Sequence, residues 1–452
     1  MLKNYILSMK NKKVLIITPF FAPESHAAVF RAHKFVKYLK KEGWEPIVLT
    51  VDTNYLYNED SSLLEELGDT PIYRTRYIEP SLRGLYMRLT GKDRTYKTIK
   101  VHNSFSGSSP SSENKAKAPK SWKYLYNYLL AHHLNNPDRF WTWKRGAIKK
   151  ARCLIRENDV QFVYTSCLPF TTNEIGIALK KTENIYWIAD FRDPITYAQR
   201  MHSKIGRVFL NQKKIQDETF LYADKVTVLS SSYKLIFNDQ YEGKFDNKII
   251  FIPTGIDDEY LPTHNRINNE IIFVGEYLKE YKDDFFKIFK RVIALLPEHK
   301  VPILKIIGNT SINEKVVLPL LKDLNLLNRV ELVDHMPQKD LYLELSKAKY
   351  VLILAGHFNH WWCNFAKLVD YIALQKLVVA LVPTISEARS ELEKTKRGIF
   401  LEDNFEQNIE ILYRLFSSRG DMETPANDYY KRYFASTQTK EFVKVLEKLE
   451  KL

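Results

Sequence analysis

Residues 363–383 read CNFAKLVDYIALQKLVVALVP, and their pattern sets the pattern of the chain. Apolar residues at helical spacing predict a helix from roughly Asn364 to Leu374, and the β-branched run from Val378 to Leu381 predicts a buried strand directly after it. A helix feeding a short, wholly apolar strand is one step of a βα repeat around a parallel sheet. Near the start of that helix, Lys367 and Asp370 stand one turn apart with Leu368 between them. An acid so placed can accept hydrogen bonds from a ribose diol, and the lysine can face a phosphate. The alternative is an exposed i,i+3 ion pair worth little to stability.

The same alternation extends in both directions. Toward the C-terminal half, strands are expected at Ile271 to Val274, Ile303 to Ile307, Val330 to Val333, Tyr350 to Leu354 and Gly398 to Leu401. In the N-terminal half they are expected at Val14 to Thr18, Ile47 to Val51, Phe162 to Thr165, Tyr186 to Ala189, Val226 to Leu229 and Ile249 to Ile252. A helix from about Ala28 to Lys41 carries Val29, Ala32, Phe35, Val36 and Leu39 on one face, and Gly43 ends it. The fold class is therefore α/β with two Rossmann-like, doubly wound domains. They are expected over 1–262 and 263–425, with a helical segment over 426–452, joined by the proline-containing stretch around Pro253 and Pro262. Ligands of open α/β sheets bind outside the carboxyl ends of the strands, so the chemistry is sought there.

Composition narrows the partners. The 452 residues include 68 Lys and Arg against 54 Asp and Glu, a formal charge of +14. Residues 78–150 alone hold 15 Lys and Arg against four acids, which leaves the remainder almost neutral. That insert (about 78–140) also carries ten aromatics up to residue 150 and a serine-rich piece from Ser104 to Ser112. No apolar run approaches the ~18 residues of a membrane span, and the first residues lack the apolar core and cleavage site of a secretion signal. Cys153, Cys167 and Cys363 share no ligand spacing, which argues against a disulfide framework or zinc cluster and for a reducing cytoplasm. His26, His33, His132, His133, His335, His357 and His360 form no metal-binding pattern, and no nucleophile elbow appears.

Three further clusters sit beside expected strand ends. Glu24, Ser25 and His26 occupy the turn before the first helix, where free N–H groups could hold an anion or Ser25 could simply cap. WIADFRDPIT, from Trp187 to Thr196, brings Asp190, Arg192 and Asp193 to a strand end, to meet a ligand or to stiffen a proline turn. In the second half Gly275 is followed by Lys279 and Lys282, and Gly308 repeats the strand–glycine arrangement. Lysines there would neutralise phosphate, or be solvated surface.

In sequence order FVKYLKKEGWEPIVLT, PDRF, ADFRDP, ADKVTVLSSSY, IPTGID and KLVDYIALQKLVVALVP resemble the landmarks of a family: nucleotide-sugar glycosyltransferases of the GT-B fold, family 4-like, in the retaining group that assembles bacterial surface polysaccharides. The resemblance covers most of the chain. It implies nucleotide binding mostly by the C-terminal domain, acceptor binding by the N-terminal one, and transfer with retention from a nucleotide diphosphate sugar without a required metal or other cofactor. On this reading Asp370 resembles the family's ribose-binding glutamate shortened by one methylene, and Lys367 the lysine that precedes it. Ser25, Gly275, Lys279, Lys282, Gly308 and Leu368 join them as nucleotide-sugar contacts, Asp190 and Arg192 become the catalytic pair, and Asp193 and His26 become acceptor contacts. The departures are specific. Trp362 stands where many members have a second acid, the double glycine after the first strand is replaced around Ser25 and His26, and Glu276 replaces an arginine.

The insert has its own expectation. SWKYLYNYLLAHHL aligns Trp122, Leu125, Tyr126 and Leu129 on one helical face beside Lys115, Lys117, Lys120 and Lys123, the composition of an interfacial helix. It would dock the protein peripherally on the inner face of the cytoplasmic membrane, near a lipid-linked glycan acceptor; the other reading packs the aromatic face inward. No nucleic-acid-binding module appears. Alternatives of other classes are a nucleotide-sugar epimerase of the same fold, a non-catalytic glycan-binding protein and a polyanion-binding interaction protein.

Overall fold

The computed structural model describes residues 12–52, 59–81, 135–201, 206–262, 267–278, 281, 283–355, 361–363, 365–418 and 427–451. These form two compact units, residues 1–252 with 439–452, and residues 253–438.

The first unit is built on seven strands: β1 (Lys13–Ile17), β2 (Glu45–Val51), β3 (Ile72–Thr75), β4 (Phe162–Cys167), β5 (Tyr186–Phe191), β6 (Lys225–Val228) and β7 (Ile249–Phe251). They lie in the order β3-β2-β1-β4-β5-β6-β7, every pair parallel. Because helices cover both faces, the central strands are apolar throughout; Val14 to Ile17 and Phe162 to Tyr164 are essentially inaccessible. The helix Ala27–Lys41 packs Val29, Ala32, Phe35, Val36 and Leu39 inward. It ends on Gly43 at φ +75°, with Gly43 N–H donating to Lys40 O (3.1 Å) and Trp44 N–H to Leu39 O (2.9 Å), the paired bonds of a Schellman stop.

The second unit repeats the design with β8 (Asn268–Val274), β9 (Ile303–Ile307), β10 (Val330–Val333), β11 (Ala348–Leu354), β12 (Leu377–Leu381) and β13 (Gly398–Phe400), ordered β10-β9-β8-β11-β12-β13, again all parallel. Strand order reverses between β8 and β11, which makes the carboxyl ends of those two strands the switch point at which such sheets bind ligands.

Two expectations about domain limits shift. The first boundary falls at Ile252/Pro253 rather than at 262, because Ile256 exchanges backbone hydrogen bonds with Tyr433 and Ala435 (2.9 Å each) inside the second unit. The terminal segment is not separate either. Residues 428–438 belong to the second unit, and the rest of the helix Ala435–Glu450 belongs to the first.

Candidate functional site

In the second unit the helix Ala366–Ala373 follows β11 and brings its first turn to the end of β8. The Tyr371 hydroxyl accepts from Val274 N–H (3.1 Å), and Lys367 places Nζ 4.1 Å from the ring centroid of Phe273, with Tyr281 at 5.9 Å. Lys367 thus spans the switch point from the β11 side to the β8 side. Its ammonium is half-buried and, among the described residues, pairs with no carboxylate. Burial pulls its pKa down to about 7. The i,i+3 ion pair with Asp370 is not formed. Asp370, half-buried, instead accepts a hydrogen bond on Oδ1 from the Tyr342 hydroxyl at 3.0 Å. Leu368 is core, 1% exposed, and fixes the helix on the sheet rather than meeting a ligand.

Gly275 and Gly308 are required by geometry. Gly275 has φ +116°, and an added Cβ there would meet no described atom within 4 Å, so the backbone faces open space. A Cβ on Gly308 would lie 2.5 Å from Gly275 O, so the two strand ends approach as closely as they do only because Gly308 bears no side chain. Asn313, fully buried, ties the arrangement. Its Nδ2 donates to Gly275 O (3.2 Å), and its Oδ1 accepts from Tyr277 N–H (2.8 Å). Glu276 is exposed, and Trp362 is half-buried. Lys279 and Lys282 lie outside the described residues.

In the first unit the expected catalytic pair separates. Asp190 is completely buried in β5, and both of its oxygens are engaged. Arg31 donates from Nε to Oδ2 (3.0 Å) and from Nη2 to Oδ1 (2.8 Å), and Thr227, its β6 neighbour in register, donates to Oδ1 (2.6 Å). A bidentate pair in that position leaves no oxygen for an acceptor or a sugar, so Asp190 is corrected from catalytic contact to internal tie between the helix Ala27–Lys41 and two strands. Arg192 donates to Ala28 O (3.2 Å) and Leu168 O (2.5 Å), while its buried Nε has no partner among the described residues. Asp193, half-buried, accepts one long hydrogen bond from the Tyr233 hydroxyl (3.4 Å). Burial pushes its carboxyl up to about 6, against the opposing influence of Arg192 and Tyr233.

His26 also changes role. It is His26, not Ser25, that caps the helix, its Nδ1 accepting from Ala28 N–H at 3.1 Å. Because Nδ1 accepts, the ring proton of the neutral imidazole sits on Nε2, which lies 3.3 Å from Glu24 Oε1. His26 thus spends one nitrogen on the helix end and sets the other beside Glu24. Ser25 is half-buried in the turn. Sequence reasoning missed Arg31, Thr227, Tyr342 and Asn313. Only Arg31 left a trace, as a charge between the apolar positions Val29, Ala32 and Phe35. Lys115, Lys117, Lys120, Trp122, Lys123, Leu125, Tyr126 and Leu129, expected from the sequence to dock on a membrane, lie outside the described residues. No helix among the described residues is long and apolar enough to cross a membrane.

No protein-family profile matches the chain, and no curated protein matches it by sequence. Solved structures do match. Anabaena HepE, in complex with UDP, is similar with a TM-score of 0.60 at 12% identity, over 96% of this chain and 100% of that one. Sucrose-phosphate synthase from Thermosynechococcus elongatus gives 0.59 at 11% identity, over 97% and 98%. The fold is that of the GT-B enzymes. The UDP-GlcNAc 2-epimerase from Methanocaldococcus jannaschii shares it as well, with a TM-score of 0.51 at 10% identity over 96% of this chain and 99% of that one. At such identities the likeness speaks for the architecture alone.

Proposed function

We propose that the protein is a glycosyltransferase that binds a nucleoside diphosphate sugar at the carboxyl ends of β8 and β11. It would pass the sugar, with retention, to a glycan or lipid-linked acceptor in bacterial surface polysaccharide synthesis. The observation that carries this reading is Lys367: a half-buried ammonium with no carboxylate among the described residues, held over Phe273 beside the open backbone of Gly275. A buried cation without a counter-ion is costly, and a diphosphate supplies one. Asp370, one turn on, takes the ribose hydroxyls. Lys279 and Lys282, proposed from sequence alone, would add charge where the leaving diphosphate accumulates it. In the first unit Arg192 and Asp193 are the remaining candidates for acceptor contact. Similarity to GT-B structures, one of them in complex with UDP, supports the nucleotide class.

Calorimetry with UDP, GDP and ADP, and with their glucose conjugates, tests the reading. At least one should bind with a micromolar dissociation constant, and Asp370→Ala should abolish that binding. Absence of binding by all of them sinks the proposal. The similarity to a 2-epimerase favours a second reading, which acceptor-free incubation with sugar nucleotides separates: epimerised donor would replace transfer by isomerisation. The basic, aromatic insert supports peripheral docking on anionic lipid at the cytoplasmic face of the membrane. Co-sedimentation with phosphatidylglycerol vesicles at low salt should show it, and a protein left in the supernatant removes this part of the proposal.

A further inference from the structure

Asp370 is the shortest side chain that can offer a carboxylate, and it projects from the second turn of a helix whose first turn carries Lys367. A carboxylate in that position recognises a vicinal diol only if its plane is held, because two hydroxyl donors must meet it at once. Packing alone does not hold it, since Asp370 is half-buried on the helix Ala366–Ala373. What does reach it is Tyr342. This side chain comes from the helix Gln338–Lys347, is 0% exposed, and rises through the apolar cluster that includes Ile272, Ile307, Val351 and Leu368. Its hydroxyl donates to Asp370 Oδ1 at 3.0 Å.

Burial, then the nearby charge of Asp370, then the hydrogen bond itself raise the Tyr342 phenol well above its ordinary range. It therefore stays protonated and acts as a donor wherever the protein is folded. A phenol clamped in a core has two torsions and neither is free, so the oxygen is a fixed point. The carboxylate hinged on that point has one orientation relative to Lys367, which shares its helix. The spacing between ribose recognition and phosphate recognition is thereby set by a residue that touches neither.

Resting on the proposed nucleotide site, we infer that Tyr342 is a positioning residue that orients the Asp370 carboxylate and so determines preference for a ribose diol over a deoxyribose. The test compares, for whichever of UDP, GDP and ADP binds most tightly, the dissociation constants of that nucleotide and its 2′,3′-dideoxy analogue. It uses the full-length protein and the variants Tyr342→Phe, Asp370→Asn and the double variant.

Phenylalanine keeps the buried ring, so the fold is retained. Loss of one charge-assisted hydrogen bond should weaken the ribonucleotide about tenfold. The dideoxy analogue, which makes no diol contact, should change less than about twofold. In the Asp370→Asn background the Tyr342→Phe effect on the ratio should disappear. Equal weakening of both nucleotides marks a merely structural tyrosine and overturns the inference, as does an unchanged ratio. If none of the three binds the unaltered protein, the nucleotide site itself fails, a different outcome from an unchanged ratio.

Discussion

Lys367 carries both a stability consequence and a binding consequence. Its folded-state pKa of about 7 lies below the ~10.4 of an unfolded lysine, so between those values the unfolded chain holds more protons. Its contribution to stability therefore rises with pH from about 7 upward, and the burial penalty is full below that. Binding has the opposite sign. A diphosphate favours the charged ammonium, so above pH 7 the ligand must bring a proton with it. Affinity is expected to fall up to about tenfold per pH unit above 7. UDP-glucose is a suitable probe because its diphosphate has no ionisation near neutrality. Calorimetry at pH 8.5 in buffers of different ionisation enthalpy should register uptake of about one proton, and Lys367→Arg should bind with none. Heats that are identical in all buffers for the unaltered protein would count against it. Lys367 and Asp370 could be singled out from their spacing because they are three positions apart on one helix. Asp190 could not be read correctly, because the partner that satisfies it, Arg31, is 159 residues away. A motif such as ADFRDP shows that a carboxylate sits at a strand end and is silent on what already fills its oxygens.

At the scale of elements, long apolar runs were legible and short mixed ones were not. Nine of the expected twelve strands overlap their observed counterparts by four or more residues and the other three, at β6, β7 and β13, by three, and the reason is double-sided burial, which leaves an unbroken apolar signature. The strand that escaped notice is β3, IYRT, an edge strand with no fully buried residue and an arginine in its middle. Its place is decided by pairing with β2 rather than by its own pattern. The first helix is legible to within a residue, and Ser25 is one cap its sequence offers because hydroxyls lead the capping ranking; the imidazole nitrogen of His26 does that work here. The glycines after β8 and β9 were visible as positions. Their reason was not, since the 2.5 Å approach of a Gly308 Cβ to Gly275 O exists only when two parallel strands lie side by side.

At the scale of the molecule, the two units differ in how the chain closes them. The second is continuous from Pro253 to Gln438, whereas the first is completed by the last fourteen residues. The amphipathic pattern of the terminal segment announces a helix but cannot say which core receives it. The receiving core is the first unit's. Phe442 stacks on Phe35 with ring centroids 4.9 Å apart and meets Tyr164 edge-on at 5.4 Å, and Leu446 and Leu449 are buried with it. Phe442→Ala removes a fully buried ring between β4 and the helix Ala27–Lys41, a change that typically costs about 3–5 kcal/mol. That loss should fall on one unit. Hydrogen exchange followed by mass spectrometry is expected to show faster exchange in β1, β4 and the helix Ala27–Lys41. Peptides from β8, β9 and β11 should keep their protection, because their core shares no residue with the cluster around Phe442. Nucleotide affinity, which is proposed to reside in the second unit, should then survive in the variant at temperatures below its first unfolding transition. Equal deprotection of both units would show that they unfold as one, and that the terminal helix stabilises the whole chain rather than the unit it completes.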